Sequence, residues 1–147
     1  MFKRVLVVCT GNICRSPMAE ALFRRRFQLD ARPIEVVSAG VDALVGAAPP
    51  PQVIARMQAL GLDVTLHRAR QMDPEEARMA DLILVMEHFH REAVGLIAPS
   101  ARGKVHLLGH WNGGIEIPDP YKQNDTAYDR AIELIQQGVS AWSERLV

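Results

Sequence analysis

The segment Arg4 to Val8 is aliphatic or β-branched with no polar alternation, the pattern of a strand buried on both faces of a parallel sheet. Such a strand needs helices on either side. Directly after it, Pro17 suits the first turn of a helix, with Ser16 before it and Met18, Ala21, Leu22 and Phe23 near one face of a stretch reaching Phe27. The chain therefore begins strand, tight loop, helix.

That order recurs. Ile34 to Ser38 reads as a second strand, and Gly40 and Pro49-Pro50-Pro51 interrupt before a helix that carries Val53, Ile54, Met57 and Leu60 and ends at Gly61. Asp73-Pro74-Glu75-Glu76 is a capped start for a short helix; Leu82 to Met86 is another doubly buried strand, followed by a helix towards Ile97. Val105 to Leu108 gives a fourth strand, Gly109 to Asn124 an irregular stretch, and Asp125 a cap for a last helix through Tyr128, Ile132, Ile135, Val139 and Trp142. Strands alternating with helices imply an α/β fold: a single three-layer domain over residues 1–147 with a central four-stranded parallel sheet flanked by helices. A length of 147 residues with 48% apolar residues suits one core.

Charge and cysteine content narrow the function. The formal net charge is zero and the basic residues form no long block, which disfavours nucleic acid as a partner. No apolar run approaches the roughly 20 residues of a membrane span, and the N-terminus lacks a signal-peptide pattern, so no membrane insertion is expected. The two cysteines, Cys9 and Cys14, match neither a disulfide framework nor a zinc cluster; a reducing, cytoplasmic location fits, with no metal and no cofactor.

In parallel sheets ligands sit beyond the carboxyl ends of the strands, which directs attention to the first loop. It reads Cys9-Thr10-Gly11-Asn12-Ile13-Cys14-Arg15-Ser16, a cysteine and an arginine separated by five residues ahead of a helix. A loop bent round an anion can point successive N–H groups inward, and the positive end of the helix adds to their attraction for phosphate. Thr10, Gly11, Asn12, Ile13, Cys14 and Arg15 are thus the expected phosphate binders. Gly11 is expected to relieve the sharpest turn, and Asn12 tolerates left-handed dihedrals. Arg15 offers a planar fork matched to two phosphate oxygens. The same field favours a thiolate, because cysteines at helix N-termini fall well below the ordinary pKa of ~8.5; Ser16 is placed to donate to the sulfur. An isolated cysteine ending a strand is more often a buried small hydrophobe, but the ordered set of cysteine, glycine, arginine and serine reverses that. A nucleotide-binding P-loop would need Gly-Lys-Ser/Thr before its helix, which is absent.

Cysteinyl-phosphate chemistry needs an acid for the leaving oxygen and then a base for water, and one carboxyl group serves both. Asp119, stiffened between Pro118 and Pro120, is the candidate, although Asp-Pro taken alone is usually only a turn.

With the cysteine loop at the N-terminus, Ser38-Ala39-Gly40, His67-Arg68-Ala69-Arg70-Gln71 and Asp119-Pro120-Tyr121 in this order, the whole chain resembles a low-molecular-weight protein tyrosine phosphatase. The resemblance implies Cys9 as nucleophile, Arg15 as transition-state clamp and Asp119 as acid and then base. It implies Asn12, Ser16, Ser38 and His67 as supports of the loop, and Ile13, Leu44 and Tyr121 as walls of a slot deep enough for phosphotyrosine. Leu44 stands where eukaryotic members usually carry an aromatic residue. With Gly109-His110-Trp111, this is similar to the bacterial subgroup associated with tyrosine autokinases of polysaccharide export, so the implied partner is a phosphotyrosine protein such as an autokinase tail. Cys14 shares the loop with Cys9 and is the expected redox partner that captures an oxidised Cys9 as a disulfide. An arsenate reductase of the same fold would need further cysteines, and none follows Cys14; a phosphopeptide-binding module would need neither nucleophile nor acid. His88 and His90 are expected to be ordinary helix residues, Glu75, Glu76, Glu87 and Glu92 solvated helix charges, and Met57, Met72, Met79 and Met86 core or near-core packing.

Overall fold

A computed structural model describes residues 2–146; Met1 and Val147, the ends of the expected domain, lie outside the described residues. The apolar run forms β1 (Arg4–Cys9), followed by α1 (Arg15–Leu29), β2 (Glu35–Gly40), α2 (Pro51–Ala59), α3 (Pro74–Met79), β3 (Leu82–Val85), α4 (His88–Ile97), β4 (Val105–Leu107) and α5 (Asp125–Ser143), with a 3-10 turn at Pro99–Lys104 before β4. The four strands are parallel in the order β2-β1-β3-β4.

Burial on both faces explains the missing polar alternation. Val5, Val7, Leu82 and Leu84 face Met18, Phe23, Phe27, Met57, Leu134, Ile135 and Trp142 on one side. Leu6, Val8, Ile83 and Val85 face Ala77, Val94, Ala98 and Ala101 on the other. Helices α1, α2 and α5 thus cover one face and α3 and α4 the other. The chain leaves β1 towards β2 and then returns past it to β3, so strand order reverses at β1 and opens a crevice beyond its carboxyl end. Cys9 stands there.

Local details differ from the sequence reading. Asn124, not Asp125, caps α5: its side-chain oxygen accepts from the Ala127 N–H at 3.0 Å. Helix α1 begins at Arg15, so Ser16 lies within its first turn and its hydroxyl is used elsewhere. Met57, Met72 and Met86 are buried, but Met79 is half exposed at the end of α3. Gly11 has an ordinary φ, and a Cβ there would make only normal contacts; the left-handed residue of the loop is Asn12, at φ 59°.

The glycine that the loop requires is Gly40. A Cβ on it would collide with the Thr10 carbonyl oxygen and lie 3.1 Å from the Asn12 amide nitrogen. Gly40→Ala is therefore expected to destabilise the protein by about 1–3 kcal/mol, the usual range for overpacking, in a urea unfolding titration. Turnover should fall as well, because the displaced atoms belong to the anion loop.

Candidate active site

Beyond the ends of β1 and β3 the loop 10–15 bends into a cradle. Cys9, Thr10, Gly11, Ile13, Cys14, Arg15, Leu44, Asp119 and Tyr121 line one cavity of about 190 Å³ with it, together with Asp42. Residues from three separate stretches of sequence meet in that slot. Among the described residues, the N–H groups of Gly11, Asn12, Ile13, Cys14 and Arg15 have no acceptor on the protein. A run of unpaired donors at the start of a 15-residue helix is an anion site by construction.

The loop keeps its shape because Asn12 is fully buried and its side chain and carbonyl are all hydrogen-bonded. Its amide nitrogen donates to Ser16 Oγ at 2.8 Å and to Ser38 Oγ at 3.0 Å, its side-chain oxygen accepts from the Arg70 N–H at 3.0 Å, and its carbonyl pairs with His67 Nε2 at 2.7 Å. Left-handed backbone at a non-glycine residue is uncommon, and these bonds offset that cost. Because Ser16 Oγ accepts from Asn12, its own proton is free for Cys9 Sγ, 2.9 Å away. The neighbouring loop is tied on by its backbone: Val41, Asp42 and Leu44 N–H donate to the carbonyls of Cys9, Thr10 and Gly11.

Arg15 is buried, with 1% of its side chain exposed. Its Nη1 donates to Glu87 Oε2 and to the Ile117 carbonyl, each at 2.7 Å. Both Nη1 protons are therefore spent on the protein, and the Nε/Nη2 edge is left to face the slot. Nη2 lies 3.4 Å from Thr10 Oγ1 and 3.6 Å from Asp119 Oδ2. A buried cation is tolerated only with such partners. Asp119 is 45% exposed at the rim, where its Oδ1 accepts from the Tyr121 N–H at 3.0 Å. The Ile117 N–H donates to the Met86 carbonyl, so the acid-bearing loop is fixed to the chain just past β3.

Glu87 corrects the sequence reading: it is no solvated helix charge but the counter-ion of the buried arginine. Glu76 is corrected too, because it is largely covered and paired with Arg70. His90 is likewise no ordinary helix residue. It is completely buried, and its Nε2 lies 2.8 Å from Thr10 Oγ1 while Nδ1 accepts from the Glu87 N–H at 3.0 Å. A usable signal existed for Glu87, since a carboxylate just past a buried strand belongs to the rim where parallel sheets bind ligands. Asp42 offered no such signal. It follows Gly40 in an irregular turn, and only the folded chain shows it at the slot.

Cys14 stands in the slot with its thiol pushed up to about 12, chiefly by burial and then by the nearby Asp119 and Cys9. At neutral pH it is a protonated thiol, which attacks an oxidised sulfur slowly. Among the described residues no group of three or more histidine, cysteine or acidic side chains could hold a metal ion, and no helix is long and apolar enough to cross a membrane.

Residues 4–147 match the family model described as low molecular weight phosphotyrosine protein phosphatase. Over 146 residues the chain is 42% identical to the low molecular weight protein-tyrosine-phosphatase Wzb of Salmonella typhimurium, covering 99% of this chain and 95% of that one. It is 41% identical to the probable low molecular weight protein-tyrosine-phosphatase EpsP of Ralstonia nicotianae, covering 99% and 97%. Among solved structures, Vibrio vulnificus Wzb in complex with benzylphosphonate is similar with a TM-score of 0.93 at 39% identity, covering 99% of this chain and all of that one.

Proposed function

The chain belongs to the low molecular weight phosphotyrosine protein phosphatase family and is a protein-tyrosine phosphatase, and from that premise we propose how its own residues divide the work. Cys9 is the nucleophile, Arg15 the clamp on the phosphoryl oxygens, and Asp119 the acid that becomes the base. The observation that carries this assignment is the shared cavity, with the sulfur, the free edge of the arginine and the carboxylate all on its wall.

In the first step the Cys9 thiolate attacks phosphorus, the phosphorus–oxygen bond to tyrosine breaks, and Asp119 gives its proton to the departing phenolic oxygen. In the second, water attacks the phospho-cysteine, its proton passes to the Asp119 carboxylate, and the phosphorus–sulfur bond breaks to release inorganic phosphate and the thiolate. Loop amides and the Nε/Nη2 edge of Arg15 hold the phosphoryl oxygens in both steps. The Ser16 hydroxyl, placed by Asn12, donates to the sulfur and eases its departure. Ile13, Leu44 and Tyr121 give the slot apolar walls suited to a phosphorylated ring. Leu44 is 45% exposed, so the outer wall is open to a large substrate such as a flexible protein tail.

We take the phosphoprotein to be a bacterial tyrosine autokinase of polysaccharide export, met in the cytoplasm, where both free thiols would stay reduced; full-length similarity to the phosphatases Wzb and EpsP supports this reading. The test is turnover of a tyrosine-phosphorylated kinase tail in the presence of a chelator, beside a phosphoserine peptide of matched sequence. Fast release of phosphate from the tail and almost none from phosphoserine is the expected result; equal rates on both, or none on the tail, would refute it.

Arg15→Lys is expected to lower kcat on para-nitrophenyl phosphate by roughly 10²–10³, the range seen when a transition-state donor is removed. One ammonium cannot hold Glu87, the Ile117 carbonyl and two phosphoryl oxygens together.

A further inference from the structure

We propose that the Thr10 hydroxyl is an additional hydrogen-bond donor to the phosphoryl group and that buried His90 is the positioning residue that turns it into the slot. The proposal rests on the reading of loop 10–15 as the phosphoryl cradle.

The protons can be placed by elimination. His90 Nδ1 faces the backbone N–H of Glu87 at 3.0 Å, and an N–H can only donate, so Nδ1 carries the lone pair. The ring proton of neutral His90 is then on Nε2, which donates to Thr10 Oγ1 at 2.8 Å. Arg15 Nη2 approaches the same oxygen at 3.4 Å. With nitrogen donors directed at the oxygen from two sides, what Thr10 has left to offer is its own proton. Among the described residues none accepts it. Thr10 shares the cavity wall with Cys9 and Arg15, so that proton is available to an oxygen of the bound phosphoryl group.

The arrangement is insensitive to pH in the working range. Burial, and after it the Arg15 charge, holds His90 down to about 3, so the ring stays neutral and Nδ1 stays an acceptor. Doubly protonated, the ring would turn an N–H against the Glu87 N–H. One histidine thus links the backbone of the residue that pairs with Arg15 to the hydroxyl beside the nucleophile.

The experiment measures kcat/KM on para-nitrophenyl phosphate and competitive inhibition by inorganic phosphate. Thr10→Val is expected to lose roughly tenfold in kcat/KM and to weaken phosphate by a comparable factor, as for a lost hydrogen bond to a charged group, while Thr10→Ser stays near the parent. His90→Leu should reproduce the Thr10→Val loss, and the double variant should lose no more than either single one. His90→Gln keeps an acceptor for the Glu87 N–H and a donor for Thr10, and should recover most of the activity. A Thr10→Val protein within twofold of the parent would overturn the hydroxyl's part, and losses that multiply in the double variant would overturn the link to His90. The Thr10 pair leaves the buried histidine untouched, so it decides the first point even if His90→Leu does not fold. Failure of inorganic phosphate to inhibit the parent protein competitively would instead sink the cradle reading itself.

Discussion

Cys9→Ser is expected to cut turnover of para-nitrophenyl phosphate by roughly 10⁴–10⁶, the scale of losing a catalytic nucleophile, while leaving inorganic phosphate bound nearly as well. The two halves of that result have different causes. Binding comes from the unpaired N–H groups of residues 11–15 and from the free edge of Arg15, none of which the substitution touches. Turnover needs an atom that attacks phosphorus as an anion and later leaves as one, and a serine hydroxyl does neither well at neutral pH. In the parent, Ser16 already donates towards this position from 2.9 Å, so a serine placed there would meet a donor and not a base. Initial-rate kinetics and calorimetric phosphate binding check the two halves separately. A variant that keeps more than a few per cent of the parental rate would remove Cys9 from the chemistry.

The parts of this site that could be read from sequence are those the chain builds locally. An apolar strand, a five-residue gap between cysteine and arginine, and a helix-starting proline are near neighbours, so their relation survives without knowledge of the fold. The four-stranded parallel sheet followed from the same local signals, since two of the strands read as buried on both faces and each connection was long enough for a crossover. Glu87 and His90 were misread because their partners lie far along the chain: Arg15 is 72 residues from Glu87, and Thr10 is 80 residues from His90. Only the pairing of β1 with β3 brings those positions to one rim. Helical context made the glutamate look solvated and the histidine look ordinary, and the tertiary contacts gave each a specific partner. Gly11 and Gly40 show the same thing on a smaller scale. The loop glycine was expected to relieve the sharpest turn and is not strained, whereas the distant Gly40 is what lets β2 approach the loop.

Asp119→Ala should separate substrates by the basicity of what leaves. On a phosphotyrosine peptide the loss is expected to be roughly 10²–10⁴, the contribution of a positioned acid, because the phenolate of tyrosine departs poorly without a proton. On para-nitrophenyl phosphate the loss in the first step should be much smaller, since the nitro group already stabilises the departing anion. Geometry supports the split. Asp119 sits at the open rim, 45% exposed, 3.6 Å from Arg15 Nη2 and anchored by the Tyr121 N–H, so its carboxyl is held beside the clamp where a leaving ring can reach it. Removing it also deletes an anion next to the clamp, which should preserve or tighten phosphate binding. Burst kinetics on the two substrates would reveal the pattern: with the nitrophenyl ester, phospho-cysteine should accumulate, because its formation needs little acid while its hydrolysis still needs the base. Equal losses on both substrates with no burst would mean that Asp119 acts only by shaping the rim, and the proton would have to come from another group.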